Sequence, residues 1–334
     1  MKKNLFAGII SLVIVASALA GCSQNSVPEV SNNMQSSASG TDKVSVVCTS
    51  FPQYDWVCQL TKGLDDKFEI TYLQNTGADL HSYQPSAVDI ATIGSSDLFI
   101  YIGGESDSWV EGALKNAVNP SLISINMLDA LGSRVKEEEL KEGMQEDDHE
   151  EGEVEYDEHV WLSLRNAETL TEMIADRIET LAPESADTVK TNCDNYVAEL
   201  KALDQEYEKA VEAAPVKTII FGDRFPFRYL VDDYNLDYYA AFVGCSAETE
   251  ASFETISFLT NKVDELQVPA ILTIENGDQK VAKTILNNTK SKNQQILVID
   301  SIQSVSQEAI NGGKTYLGAM EENLKTLKTA LGLK

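Results

Sequence analysis

Two spacings of apolar residues alternate along most of this chain. From residue 43, short runs of strand character (KVSVVCTSF, FEITYLQ, DLFIYIGG and SLISINM) are separated by QYDWVCQLTKGL, DIATIGSS and SWVEGALKNA, which read as helices. The second half repeats the scheme. VKTIIFGD, LDYYAAF, PAILTIE and QQILVID read as strands, and FPFRYLVDDYN, SFETISFLTNKVDELQ and QKVAKTILNNTKS as the helices between them. Strands alternating with helices are the mark of βαβ units and mostly parallel sheets. The pattern predicts an α/β protein of two similar lobes, 43–165 and 215–334.

The stretch between them, 166–214, is the most helical part of the chain. Pro183 sits where a new helix would begin. From there Val189, Cys193, Tyr196, Val197, Leu200, Leu203 and Tyr207 recur at three- and four-residue steps. One apolar stripe over about thirty residues corresponds to roughly 45 Å of helix, the length of a small domain. A long, rigid interlobe helix is expected.

The N-terminus has a different character. Lys2 and Lys3 precede an apolar run from Leu5 to Ala20 that closes on Leu19-Ala20-Gly21-Cys22. This reads as a secretory signal, 1–21, with a lipoprotein box in which Cys22 accepts the lipid. Residues 22–42, rich in Ser, Asn and Gln, read as a flexible tether. The body is therefore expected outside the cytoplasmic membrane, anchored to it by lipid.

Charge and cysteine usage narrow the partners. The formal net charge is -27, which argues against nucleic acid or anionic lipid and suits a protein that meets cations. Beyond Cys22, four cysteines remain: Cys48, Cys58, Cys193 and Cys245. Either two disulfides or buried free thiols fit that number in an oxidising compartment. The absence of a C-x-x-C pair argues against a thiolate metal site or a thioredoxin-type centre.

Three histidines occur in the whole chain: His81 in GADLHSYQP, His149 in an acidic run, and His159 in DEHVWLSL. Ligands of open α/β sheets bind at the carboxyl ends of strands. His81 follows one predicted strand, Asp223 and Arg224 another, and Glu275 and Asp300 end two more. Such an arrangement suits an ion held between two lobes. The HEEGE run lacks the second histidine of a zinc-protease helix, and neither G-x-S-x-G nor a P-loop occurs, so an enzyme is not expected.

These segments together resemble the zinc and manganese substrate-binding proteins of bacterial ABC importers. GADLHSYQP is similar to their G-x-D-P-H-x-Y-E-P, and DEHVWLSLRNA to their D-P-H-x-W-L-D-P-x-N-A. SFPQYDW resembles T-x-x-P-x-Y-D, GCSAETEASFETI a segment with E-P-S, and GKTYLGAMEENLKTLKTAL a C-terminal G-x-x-Y-x-x-x-M-x-x-N-L-x-x-L helix. The likeness runs over 43–334. It departs from the pattern at Leu80, Gln84 and Ser163, which replace a Pro, a Glu and an Asp.

The resemblance implies His81 and His159 as imidazole ligands. Its third ligand, five residues before a Tyr, falls on Arg224, which cannot ligate, so the neighbouring Asp223 is expected instead. Asp300 is the implied fourth ligand and Glu275 a reserve. The implied cargo is Zn²⁺, with Mn²⁺ as the alternative. The implied partners are a permease and its ATPase, with the receptor a monomer. An adhesin-like surface lipoprotein with a structural metal, or a receptor for another solute, are the alternatives. The acidic segment 136–158 carries thirteen acids against two lysines, with His149 among them. By the same likeness it is an accessory metal-gathering loop, while as a block of like charge it reads equally as a solvated, disordered segment.

Overall fold

A computed structural model describes residues 43–145, 155–246 and 250–333. The secretory signal, Cys22 and the tether lie outside the described residues, as does His149.

The first half builds β1 (Val44–Cys48), α1 (Phe51–Leu60), β2 (Phe68–Tyr72), α2 (Ala87–Ser95), β3 (Leu98–Tyr101), α3 (Val110–Lys115), β4 (Ile123–Asn126) and the short α4 (Met127–Leu131). Its four strands form one parallel sheet in the order β2-β1-β3-β4, with Val46 opposite Ile70 on one side and Leu98 on the other. The side-chain period of two explains why both faces are apolar. Val46, Cys48, Leu98 and Ile100 point into the main core, whereas Val47 and Phe99 enter a smaller cluster with Ile93 and Val110 beneath α2 and α3.

Two helices then follow, α5 (Leu164–Leu181) and α6 (Ala186–Ala213). Ser163 caps α5, its Oγ accepting from Asn166 N at 3.0 Å while its hydroxyl donates to Asp233 Oδ2 at 2.6 Å. Serine is a good residue for that cap. A single turn at Pro183–Ser185 leads into the 28 residues of α6, about 42 Å at 1.5 Å per residue. Every residue of its expected stripe is buried, from Val189 to Tyr207. The helix packs against α5 and α1.

The second half contributes β5 (Thr218–Ile220), β6 (Arg224–Phe225), α7 (Arg228–Tyr234), β7 (Asp237–Tyr239), β8 (Phe242–Val243), α8 (Phe253–Leu266), β9 (Ala270–Thr273), α9 (Lys280–Asn288), β10 (Gln295–Val298), α10 (Gln307–Asn311) and α11 (Tyr316–Ala330). Parallel pairs β10-β9 and β5-β7 are joined by a parallel bridge between Phe221 and Leu272. A bend at Gly222 and Asp223 then starts the separate pair β6-β8. Here too alternate residues divide: Ile219, Phe221 and Leu272 enter the main core, while Ile220 and Ile271 enter a second cluster with Leu259 and Val263 of α8.

The main core runs without a break from Val46 to Leu331, through α5 and α6, so the two sheets share one apolar interior. The loops that leave the carboxyl ends of β2, β3, β5, β8, β9 and β10, together with the segment before α5, carry the candidate chemistry. All four described cysteines are free thiols.

Candidate metal centre

His81 stands on a single helical turn, Leu80–Ser82, in the loop after β2. Leu80 is buried and anchors the turn, and Asp79 Oδ1 caps it by accepting from His81 N at 3.0 Å. The imidazole Nδ1 lies 2.9 Å from Ser106 Oγ and 3.6 Å from Glu158 Oε2. Burial lowers its pKa to about 3, with the neighbouring His159 and Arg224 acting in the same direction and Asp79 opposing. The ring is therefore neutral at physiological pH. An Nδ1–H that donates to Ser106 leaves Nε2 with its lone pair free.

His159 is fully buried immediately before the turn Val160–Leu162, whose three side chains are also buried. Asp157 orients it twice, its Oδ1 accepting from His159 N at 2.8 Å and from Nδ1 at 3.0 Å. A carboxylate behind an imidazole fixes the tautomer and raises the basicity of the ligating nitrogen. Tyr229 Oη in turn donates to the Asp157 carbonyl at 2.8 Å, and Trp161 Nε1 to the Ser301 carbonyl at 2.9 Å. Burial by itself lowers the His159 pKa, but Asp157, with Glu158 and Glu138, outweighs it and the net direction is up.

The two Nε2 atoms face each other at 3.2 Å. A tetrahedral zinc ion with Zn–N bonds of about 2.0–2.1 Å holds two imidazole nitrogens roughly 3.3 Å apart. The pair is thus already spaced for a shared ion. His159 Nε2 also lies 2.9 Å from Gln303 Oε1. When His159 carries both protons it donates there.

Gln303 Nε2 donates to Asp79 Oδ2 at 3.0 Å, and Arg224 Nη2 donates to the same oxygen at 2.6 Å. Arg224 Nη1 donates to the Ser246 carbonyl at 3.2 Å. The guanidinium at the expected third-ligand position is therefore neutralised by Asp79 at the edge of the site.

Asp223, Asp300 and Glu275 are not brought to the histidines. Among the described residues, the group of histidine, cysteine and carboxylate ligand atoms lying within 4.8 Å of one another is His81, His159 and Cys245. Asp223 shares a cavity wall with His81, but its oxygens accept from Arg224 N at 2.9 Å and Ile274 N at 3.2 Å. Asp300 Oδ1 accepts from Ile302 N at 2.8 Å, and Oδ2 pairs with Lys314 Nζ. Glu275 accepts from Ser301 N at 2.7 Å and from Ser301 Oγ at 2.6 Å. Each carboxylate is taken up in shaping a loop.

Sequence reasoning missed Cys245, Glu158 and Gln303. Cys245 follows β8 and Gly244; a Cβ on that glycine would lie 3.3 Å from His159 Cε1 and 3.0 Å from the Phe225 carbonyl, so the backbone passes close to the ring. Cys245 N donates to Glu138 Oε1 at 3.0 Å. The missing C-x-x-C spacing said nothing of a thiol delivered from a different strand end. Glu158 accepts from Ser106 N at 2.8 Å through Oε1, while Oε2 takes no hydrogen bond. Burial, only partly offset by those Ser106 contacts, pushes its pKa up to about 7. Its place directly before His159 in DEHVWL was the available signal.

A cavity of about 740 Å³ opens beside His81, lined by Glu105, Glu138, Glu155, Glu158 and Cys245 among others. Such a wall favours cations over anions. A second cavity of about 670 Å³ lies on the Asp79, Arg224 and Glu275 side.

Parallel α/β sheets on one core, with two imidazoles turned toward each other from the loop after β2 and the segment before α5, define an α/β protein with a candidate metal centre. The chain belongs to the family described as the zinc-uptake complex component A, periplasmic, whose model matches residues 46–330. It is 31% identical over 291 residues to the zinc-binding lipoprotein AdcA of Streptococcus pneumoniae, covering 86% of this chain and 55% of the relative. It thus spans about half the length of that relative. To the high-affinity zinc uptake system protein ZnuA of Bacillus subtilis it is 28% identical over 311 residues, covering 91% of this chain and 92% of the relative. The crystal structure of the Zn(II)-bound ZnuA-like domain of S. pneumoniae AdcA aligns with a TM-score of 0.68 at 27% identity, over 86% of this chain and 99% of that one.

Proposed function

We propose that this protein is an extracytoplasmic receptor that captures Zn²⁺ at His81 and His159 and delivers it to the permease and ATPase of an ABC importer. The observation that carries the reading is the pair of Nε2 atoms 3.2 Å apart. Family membership and the zinc-binding names of the relatives support it. Nitrogen donors at this spacing suit zinc better than manganese, which favours oxygen.

In this reading 1–21 is a secretory signal, Cys22 carries the lipid and 22–42 is the tether. The pneumococcal relative is named a lipoprotein, which supports the anchor. Among the described residues no helix is long and apolar enough to cross a membrane. Lobes 43–165 and 215–334 are bridged by 166–214, and their shared core restricts hinge closure. Capture and release then depend on small movements of the loops around His81, Gln303 and Cys245, with hinge-type closure playing little part.

The test is competition titration of zinc and manganese into the purified full chain in detergent. Zinc binding that is lost in both His81→Ala and His159→Ala is the expected result. Parent-like affinity in both variants would refute the reading.

A further inference from the structure

We propose that Cys245 supplies a thiolate as the third ligand, making the centre a two-imidazole, one-thiolate site that selects zinc and other thiophilic cations against manganese. This rests on the reading that His81 and His159 hold the ion, and deepens it.

The geometry comes first. Cys245 Sγ lies within 4.8 Å of a ligand nitrogen of each histidine. A tetrahedral ion with Zn–S of about 2.3 Å and Zn–N of about 2.05 Å separates sulfur from nitrogen by roughly 3.6 Å. The thiol needs at most a rotamer-scale approach to reach that distance. Its segment is held at both ends, Cys245 N by Glu138 Oε1 and the Ser246 carbonyl by Arg224 Nη1. Gly244 leaves room for the backbone beside His159.

The competing donors are engaged elsewhere. Asp223, Glu275 and Asp300 accept backbone N–H groups, the Ser301 hydroxyl or the Lys314 ammonium, and Arg224 cannot ligate. A second observation points to a cation ligand in the same cavity, where Glu158 Oε2 lies 3.6 Å from His81 Nδ1. Glu158, about 2% exposed, borders the cavity that His81 and Cys245 line, and its Oε2 takes no hydrogen bond. A buried acceptor in that condition is costly unless a positive charge lies near it. Two neutral imidazoles and one thiolate leave a zinc centre with a single positive charge, and Glu158 balances it.

The chemistry then sets selectivity. Thiolate is a soft donor that suits zinc, whereas manganese prefers carboxylate, carbonyl and water. Coordination replaces the S–H bond by an S–metal bond and releases one proton to water, with no change of oxidation state.

Cobalt(II) is the probe, because a cobalt–thiolate bond gives an intense near-ultraviolet charge-transfer band that imidazole and carboxylate ligands do not. The full chain in detergent, loaded with cobalt, is expected to show that band. Cys193→Ser should retain it and Cys245→Ser should lose it. Zinc affinity in Cys245→Ser should fall more than about tenfold, with a smaller loss for manganese, so that the zinc-to-manganese ratio declines. The parent spectrum needs no variant, so a folding defect in Cys245→Ser leaves the inference open to refutation.

A parent cobalt complex without the band overturns the inference. So does a Cys245→Ser protein with parent zinc affinity and selectivity. If His81→Ala loses zinc while Cys245→Ser matches the parent, only the thiolate fails. If the parent binds neither zinc nor cobalt, the receptor reading fails with it.

Discussion

Asp55 gives the sharpest quantitative prediction. It lies on α1, about 6% exposed, and its Oδ2 accepts from Tyr316 N at 3.0 Å, tying the first helix to the start of α11. Tyr316 Oη donates to the Trp161 carbonyl at 2.5 Å, two residues beyond His159, so this contact supports the centre as well as the core. Burial pushes the carboxyl up from 3.8 to about 6, against the pull of the Tyr316 N–H. A folded pKa above the unfolded one means that Asp55 favours the folded state most when protonated. Its contribution is fully present below about pH 4 and is lost as pH rises through about 6. At 1.36 kcal/mol per pH unit the loss amounts to about 3 kcal/mol. Asp55→Asn keeps an acceptor for Tyr316 N and cannot ionise. Urea unfolding from about pH 4 to pH 8 should show the variant gaining on the parent as pH rises, by about 3 kcal/mol at the upper end. Titrations common to both proteins cancel in that difference. A flat difference across the range, or one that falls with pH, would refute the reasoning.

Zinc at 100 times its Kd should stabilise the parent by about 2.7 kcal/mol; in thermal melts His81→Ala and His159→Ala should show no such shift. Asp157→Asn should leave His159 in place but weaken zinc binding by about 10- to 100-fold, measured by competition with a chelating dye, because the orienting carboxylate is gone. Gly104 has φ +76°, and a Cβ there would collide with the Glu158 carboxylate. Gly104→Ala should therefore cost at least about 1 kcal/mol in chemical denaturation, and a variant with unchanged stability would show that the loop has room to move.

The periodic elements were legible because their signals are local. The apolar run in KVSVVCTSF reports a strand buried on both faces and the stripe from Val189 to Tyr207 a helix buried on one, and the structure buries both. His81 and His159 were legible through the motifs around them. The carboxylates were not, because spacing cannot tell whether an Asp after a strand points into the cleft or folds back onto its own backbone. Asp300 shows the difference: its Oδ1 accepts the N–H two residues on, a local turn that any strand-end Asp can make. Cys245 escaped for the opposite reason. Its partners are 86 and 164 residues away in the chain, positions 159 and 81, so no local window contains the site.

That turn links Asp300 to the neighbourhood of the histidines. Ile302 adopts φ +62°, a conformation that a β-branched residue takes at a cost of about 1–3 kcal/mol. Three groups hold it there: Asp300 accepts Ile302 N, Glu275 grips Ser301, and the Ile302 side chain is fully buried in the main core. The result of the turn is to carry Gln303 back to His159 Nε2 and Asp79. Asp300 and Glu275 thus shape the loop that sets this amide beside His159. The strain is tolerable because the core beneath is continuous between both sheets. A cleft built between two independently hinged cores would lack the common footing that lets a loop from the second half place its amide on a histidine of the first.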